Sequence, residues 1–549
     1  MKKLISVLTA STLTLIMVLT GCGTSQTKSA QSTDVTSSPE VAASKDDSTF
    51  VWALQSDIVS LDPAFAYDLV TGPVVNQISE SLLVFDDNAQ LQPLLAESWE
   101  VVDPTTYVYH IRKDVTFSDG TPMTIDDVVF SLKRYADPEV ASYVGWMYAN
   151  VASIEKTGDW DVTIKLSKPD ALWQYTPATS GGHVISKAYY EAHSADFGKP
   201  TGGTMGTGPY IYESWATGSE IVLTKNENYW DKTATLPVNK VIYKIINEDT
   251  TRISAMTMGQ ADFTLDPPVD MISQLEEASN LTLNNIDTYA IDFLSFNTQI
   301  EPFNDVNVRR AIACAVDKAT ISSTVLQGIA VQGNTIPMGH ALWTIEEDTW
   351  KAYSDSSTDY PYDLQKAKEY LSQSKYPDGF NCKFLTNELS TRNSMALIIQ
   401  EALKELNINL TIEKVSNDEL INMQFGSNAT AEGVKNYDMG IFTWISDFPD
   451  PSGNLYPLYL STSAAEGGSN TSGFNNPKMD ELLRAQSASI DAKERTKLML
   501  QACDVLKDEV PTVMIDYPKT VTVFGEKVEP RTISSAYIWN LYIKDIKMK

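Results

Sequence analysis

Apolar and polar positions along this chain follow two rhythms. Ala396, Ile399, Leu403 and Leu406 recur at three- and four-residue steps, which places them on one face of a helix. Ile408, Leu410 and Ile412 follow with a period of two, which predicts a half-buried strand. The same succession returns near the C-terminus, where a helix over residues 492–507 gives way at Pro511 to a strand over Thr512, Val513, Met514 and Ile515. Val308, Ala311, Ile312 and Ala315 form a further helical stripe after Asp305. Alternation of this kind predicts α/β lobes. The earlier part has a different texture. Residues 106–111 alternate as a strand, Ser118-Asp119-Gly120 reads as a turn, and Thr124 with Asp127 forms a capping-box pattern opening a helix through Arg134. No period of roughly 20 to 50 residues recurs, which disfavours a solenoid or a propeller.

The first residues carry a different signal. Lys2 and Lys3 precede an apolar run over residues 4–19, the form of a secretory signal peptide spanning residues 1–21. The run is shorter than the roughly 18 to 20 apolar residues of a membrane span, and a polar stretch follows it. Leu19-Thr20-Gly21-Cys22 resembles a bacterial lipobox, which makes Cys22 the expected lipidated N-terminus of the mature chain; the alternative is an ordinary small-residue cleavage site beside an incidental cysteine. Residues 22–47 then comprise the lipidated cysteine and a tether of Ser, Thr, Ala, Gln, Lys and Asp, too polar to repay the entropy of ordering.

Composition narrows the function classes. Some 500 residues beyond the tether, in a chain that is 43% hydrophobic and 10% aromatic, exceed what one core holds, so two large lobes are expected. A formal net charge of −29 without a Lys/Arg cluster excludes nucleic acid and an anionic membrane face as partners. Cys314, Cys382 and Cys503 are widely spaced and odd in number, which predicts buried free thiols and no disulfide framework or CxxC site. The mature chain has no HExxH, GxSxG or GxxxxGK[ST], and His110, His183, His193 and His340 are isolated. No enzyme activity, cofactor or metal is therefore expected, and a secreted hydrolase is a distant alternative with no motif behind it.

A long, ordered set of motifs carries the next step. Leu95-Ala96-Glu97-Ser98-Trp99-Glu100, Tyr107-Val108-Tyr109-His110-Ile111-Arg112-Lys113 and Val115-Thr116-Phe117-Ser118-Asp119-Gly120 follow Leu61-Asp62-Pro63-Ala64. They precede Gly206-Thr207-Gly208-Pro209-Tyr210, Asn226-Glu227-Asn228-Tyr229-Trp230, Phe296-Asn297-Thr298, Val308-Arg309-Arg310-Ala311 and Trp444-Ile445-Ser446-Asp447-Phe448-Pro449-Asp450-Pro451. In this order they resemble the oligopeptide, dipeptide and nickel solute-binding lipoproteins of ABC importers, over essentially all of the chain after the tether. Gly206 and Gly208 suit close backbone approach, and the tryptophans suit a core.

The resemblance implies a two-lobed, periplasmic-binding-protein-like α/β fold of type II, peptide-binding class, with an extra subdomain in lobe I. Its implied boundaries place lobe I at 48–82, 204–290 and 517–549, the subdomain at 83–203, and lobe II at 291–516. It implies a monomer outside the cytoplasm, anchored by lipid to the bacterial cell membrane, that closes on a di- or oligopeptide and delivers it to the permease. An oligosaccharide or a nickel or other metal chelate is the alternative ligand on the same scaffold.

In peptide-binding members of the family the acid three residues after this Trp accepts the peptide ammonium, a role that falls here to Asp447; otherwise Asp447 caps the Phe448-Pro449-Asp450-Pro451 turn. Thr443, Trp444 and Ser446 on lobe II, and Tyr67 and Asp68 within residues 66–69 on lobe I, occupy positions where the family presents backbone to the ligand. For Tyr67 and Trp444, packing in the core is the alternative. Arg392 lies where some dipeptide binders supply a fork for the ligand carboxylate; otherwise it is a solvated loop residue.

Overall fold

The two rhythms build two large sheets. The computed structural model describes residues 48–357, 360–424, 435, 437–465 and 468–549; the signal peptide, Cys22 and the tether lie outside them. One sheet has seven strands in the order Leu281–Asp287, Lys519–Gly525, Phe263–Leu265, Thr49–Leu54, Lys240–Ile245, Glu220–Lys225 and Tyr210–Ala216. The other has six, in the order Val331–Gln332, Thr512–Tyr517, Ala290–Phe296, Met439–Ile445, Phe380–Asn387 and Ile408–Val415. The chain passes between them at residues 288–289 and at Pro518, and the Thr288 hydroxyl donates to the Pro518 carbonyl at 2.6 Å, tying the crossings together.

The predicted αβ units stand in the second sheet. Helix Ser390–Lys404 leads into Ile408–Val415, and helix Ala492–Glu509 into Thr512–Tyr517. Asp305 caps helix Val306–Ala315, its side chain accepting from the Asn307 amide. Ile312, Ile399 and Leu403 bury their stripes against Leu294, Ile408, Ile441 and Val513. Each such burial stabilises by about 1.5–3 kcal/mol. Cys314, Cys382 and Cys503 are free and buried.

The early region forms its own four-stranded sheet, in the order Ala96–Asp103, Thr106–Ile111, Asp161–Leu166 and Val151–Lys156, with helix Ile125–Ala136 packed on it. The capping box is present: the Asp127 amide donates to Thr124 Oγ1 at 3.3 Å, and the Thr124 amide to Asp127 Oδ2 at 2.9 Å. Gly206 and Gly208 meet the segment after Val75 so closely that a Cβ would stand 2.3 Å from the Ile78 carbonyl oxygen and 2.4 Å from that of Gln77. No L side chain fits there.

Candidate functional site

The motif strand Met439–Ile445 runs out at its C-terminal end into residues 446–451, at the edge of the six-stranded sheet nearest the crossing segments. Ser446 sets the turn. Its hydroxyl donates to the Phe448 carbonyl at 2.8 Å and accepts from the Phe448 amide, while its own amide reaches the Tyr289 carbonyl at 3.4 Å. Asp450 fixes the other side, accepting from the Ser452 amide at 2.9 Å and from both terminal nitrogens of Arg495 at 2.7 and 2.8 Å. The capping role open to Asp447 is thus filled by Ser446 and Asp450.

Asp447 is released to face the other lobe. Its Oδ1 accepts from the Tyr67 hydroxyl at 2.7 Å, and its carbonyl from Trp539 Nε1 at 2.9 Å. The half-buried carboxylate has no cationic partner among these contacts. Burial pushes its carboxyl up to about 6, against the smaller downward effect of the Tyr67 hydrogen bond. The Tyr67 hydroxyl is itself driven upward, by burial first and then by Asp447. Aromatic rings frame the carboxylate: Tyr67 lies 6.4 Å from Trp146 and 6.3 Å from Trp539, and Trp146 lies 5.8 Å from Phe448. Trp146 is 46% exposed, whereas Trp539 and Phe448 are buried in the core and Tyr67 packs against it, so Trp146 is the open part of this wall.

The other sequence-predicted residues divide. Asp68 is half-buried, and its Oδ1 accepts from the Val70 and Thr71 amides where the chain enters the short helix Thr71–Val75. Trp444 is partly buried, with Nε1 donating to the Gly453 carbonyl at 3.0 Å. The Thr443 carbonyl accepts from Gln424 Nε2 at 2.8 Å, and its hydroxyl donates to Asp292 Oδ1 at 2.5 Å. Arg392 is no solvated loop residue: it sits in the first turn of helix Ser390–Lys404, is 7% exposed, and pairs with Asp292 at 2.7 Å. Periodicity predicted the helix over Ala396 to Leu403 but stopped short of the polar turn that carries Arg392.

Sequence reasoning missed three buried groups. Asp450 with Arg495 was visible only as part of a motif and of a helix. Asp292 and Asp516 carry no motif, and they meet only through strand pairing across more than 200 residues. Glu80 is fully buried in lobe I and accepts from Thr207, Tyr229 and Trp230 at 2.9, 2.6 and 2.7 Å, with burial raising its carboxyl above the usual range. All three of its donors lie inside the quoted motifs, which was the available signal.

Two α/β lobes joined by two crossings, with a charged and aromatic site where they meet, define a clamshell solute-binding protein. Residues 90–466 match the family model described as bacterial extracellular solute-binding proteins, family 5 Middle, and the chain belongs to that family. Heme-binding protein A of Haemophilus influenzae is 29% identical over 554 residues, covering 93% of this chain and 94% of that protein. Glutathione-binding protein GsiB of Escherichia coli is 25% identical over 481 residues, covering 87% and 90%. The periplasmic binding protein DppA of Helicobacter pylori, solved in complex with the peptide STSA, is 26% identical with a TM-score of 0.73, covering 91% of this chain and 98% of that one. The family is defined by extracellular capture of solutes and not by catalysis. Among the described residues no helix is long and apolar enough to cross a membrane.

Proposed function

We propose that this chain captures di- or oligopeptides outside the cytoplasm by closure of its lobes and hands them to the permease of an ABC importer, working as a monomer held to the membrane through Cys22. One observation carries the choice of ligand. Asp447 is a half-buried carboxylate between the lobes whose close contacts are neutral, so it is suited to receive a ligand ammonium. An ammonium there supplies an opposite charge as well as a donor, which the neutral Tyr67 hydroxyl does not. The likeness to a binding protein solved with the peptide STSA supports the same reading.

The aromatic frame of Tyr67, Trp146 and Trp539 also favours a second reading, an oligosaccharide stacked on ring faces, with a metal chelate as a further variant. Neither needs a charge at Asp447. Calorimetry of the soluble Cys22→Ala protein with a tripeptide and its N-acetylated form separates them. Acetylation should weaken binding by tens- to thousands-fold, because it leaves Asp447 unpaired at a cost of about 2 to 5 kcal/mol. Equal affinity for both forms would overturn the peptide-ammonium reading.

A further inference from the structure

Three polar side chains stand abreast on neighbouring strands of the six-stranded sheet, at the end nearest the crossings. Asp292 pairs with Thr443 on one side and Asp516 on the other. The second pairing depends on a bulge, because Phe293 opposes Met514 while Asp292 opposes Asp516, and Ile515 is left over. That extra residue turns Asp516 to the helix-covered face which Asp292 occupies. Arg392, from the first turn of helix Ser390–Lys404, donates through Nη2 to Asp292 Oδ1 at 2.7 Å, and Thr443 donates to the same oxygen.

The cluster is incomplete. Asp516 has no solvent exposure, yet neither of its carboxylate oxygens has a hydrogen-bond partner, and Arg392 Nη1 has none either. Two carboxyl groups share one guanidinium in a buried place, so only one of them has a cation to balance it when ionised. Burial, and then the neighbouring Asp292, raise the Asp516 carboxyl well above its usual range. Leaving such a group unpaired is costly. What is missing is a cationic donor for Asp516, with an acceptor beside it for Arg392 Nη1.

We propose that Asp292, Arg392 and Asp516 form a second subsite of the ligand cleft that takes the ammonium or guanidinium of a basic side chain, with Asp516 as its direct acceptor. This deepens the peptide reading and rests on it. Thr443 and Asp447 are four residues apart, at most about 14 Å of extended chain, so a peptide held at Asp447 can extend a long side chain from its first or second residue to this cluster. The net charge of −29 draws cationic ligands toward the protein.

The test compares Ala-Lys-Ala with Ala-norleucine-Ala, which matches the lysine stem without its charge, by calorimetry on the Cys22→Ala protein. Wild-type residues at the subsite should favour the lysine peptide by about tenfold or more. Asp516→Asn should bring that ratio close to one, whereas Asp447→Asn should weaken both peptides and keep the ratio. A ratio near one before any change at Asp516, with acetylation still weakening binding, overturns the subsite and leaves the Asp447 reading standing. So does a ratio that survives in folded Asp516→Asn. If neither peptide binds, both readings fall. Should Asp516→Asn not fold, the ratio without it decides.

Discussion

Replacing Arg495 by Met isolates the contact that holds the site loop in place. Asp450 and Arg495 are 0% and 2% exposed, and their two parallel bonds of 2.7 and 2.8 Å make a bidentate pair. Without the guanidinium, the Asp450 carboxylate keeps only neutral donors: the Ser452 amide at 2.9 Å and, from the subdomain side, the Tyr175 hydroxyl at 3.3 Å. Breaking a buried pair by removing one partner costs about 3–5 kcal/mol, mostly because a charge is left uncompensated. Unfolding entropy is about 2.1 cal/mol/K per residue, so about 500 folded residues give roughly 1 kcal/mol/K and a Tm lower by about 3–5 °C. Asp450→Asn should cost a similar amount. The double change Asp450→Asn with Arg495→Met should cost clearly less than the sum, since no charge is then stranded. Calorimetric melting of the four proteins reads all three quantities. If each single change lowered Tm by less than about 1 °C, or if the two losses simply added, the pair would not be the anchor described.

Cys22→Ala should move the protein to the soluble fraction with peptide binding intact; retention on membranes after a high-salt wash would contradict the lipid anchor. Peptide should shrink the radius of gyration measured by X-ray scattering and raise Tm by the mass-action term RT ln(1 + [L]/Kd), and an unchanged radius at saturation would count against closure. Because burial holds the Asp447 carboxyl at about 6, affinity for a free amino terminus should fall as pH drops through that value. Near pH 5 roughly one carboxylate in eleven is ionised, so binding should be about tenfold weaker, while acetylated peptides show a flat profile. Tyr67→Phe removes the hydrogen bond that lowers this carboxyl and should move the midpoint upward. The same raised carboxyl acts in the opposite sense on the unliganded fold: its contribution to stability is complete at low pH and is lost as pH rises through about 6.

Local order was legible and long-range pairing was not. The stripe from Ala396 to Leu403, the capping box at Thr124 and Asp127, and the close glycines at 206 and 208 each depend on neighbours a few residues away, where spacing is informative. The Trp444 to Asp447 spacing picked out the carboxylate that reaches the other lobe, but its partner Tyr67 is 380 residues distant and no periodicity links the two. Arg392 stood between a carboxylate fork and a solvated loop residue because the local pattern did not fix its register; its partner Asp292 lies 100 residues earlier, beyond the reach of spacing. Asp516 reached the same face only through a bulge, which shifts register by one residue where strand alternation assumes none.

The central claim is that Asp447 holds a ligand ammonium, and a double cycle tests it most directly. Calorimetry of the Asp447 and Asp447→Asn proteins with free and N-acetylated forms of one peptide gives four affinities. Each single change should cost about 2 to 5 kcal/mol, and the two together little more than one alone, since either already breaks the pair. Losses that add, with coupling near zero, would show that Asp447 does not hold the amino terminus.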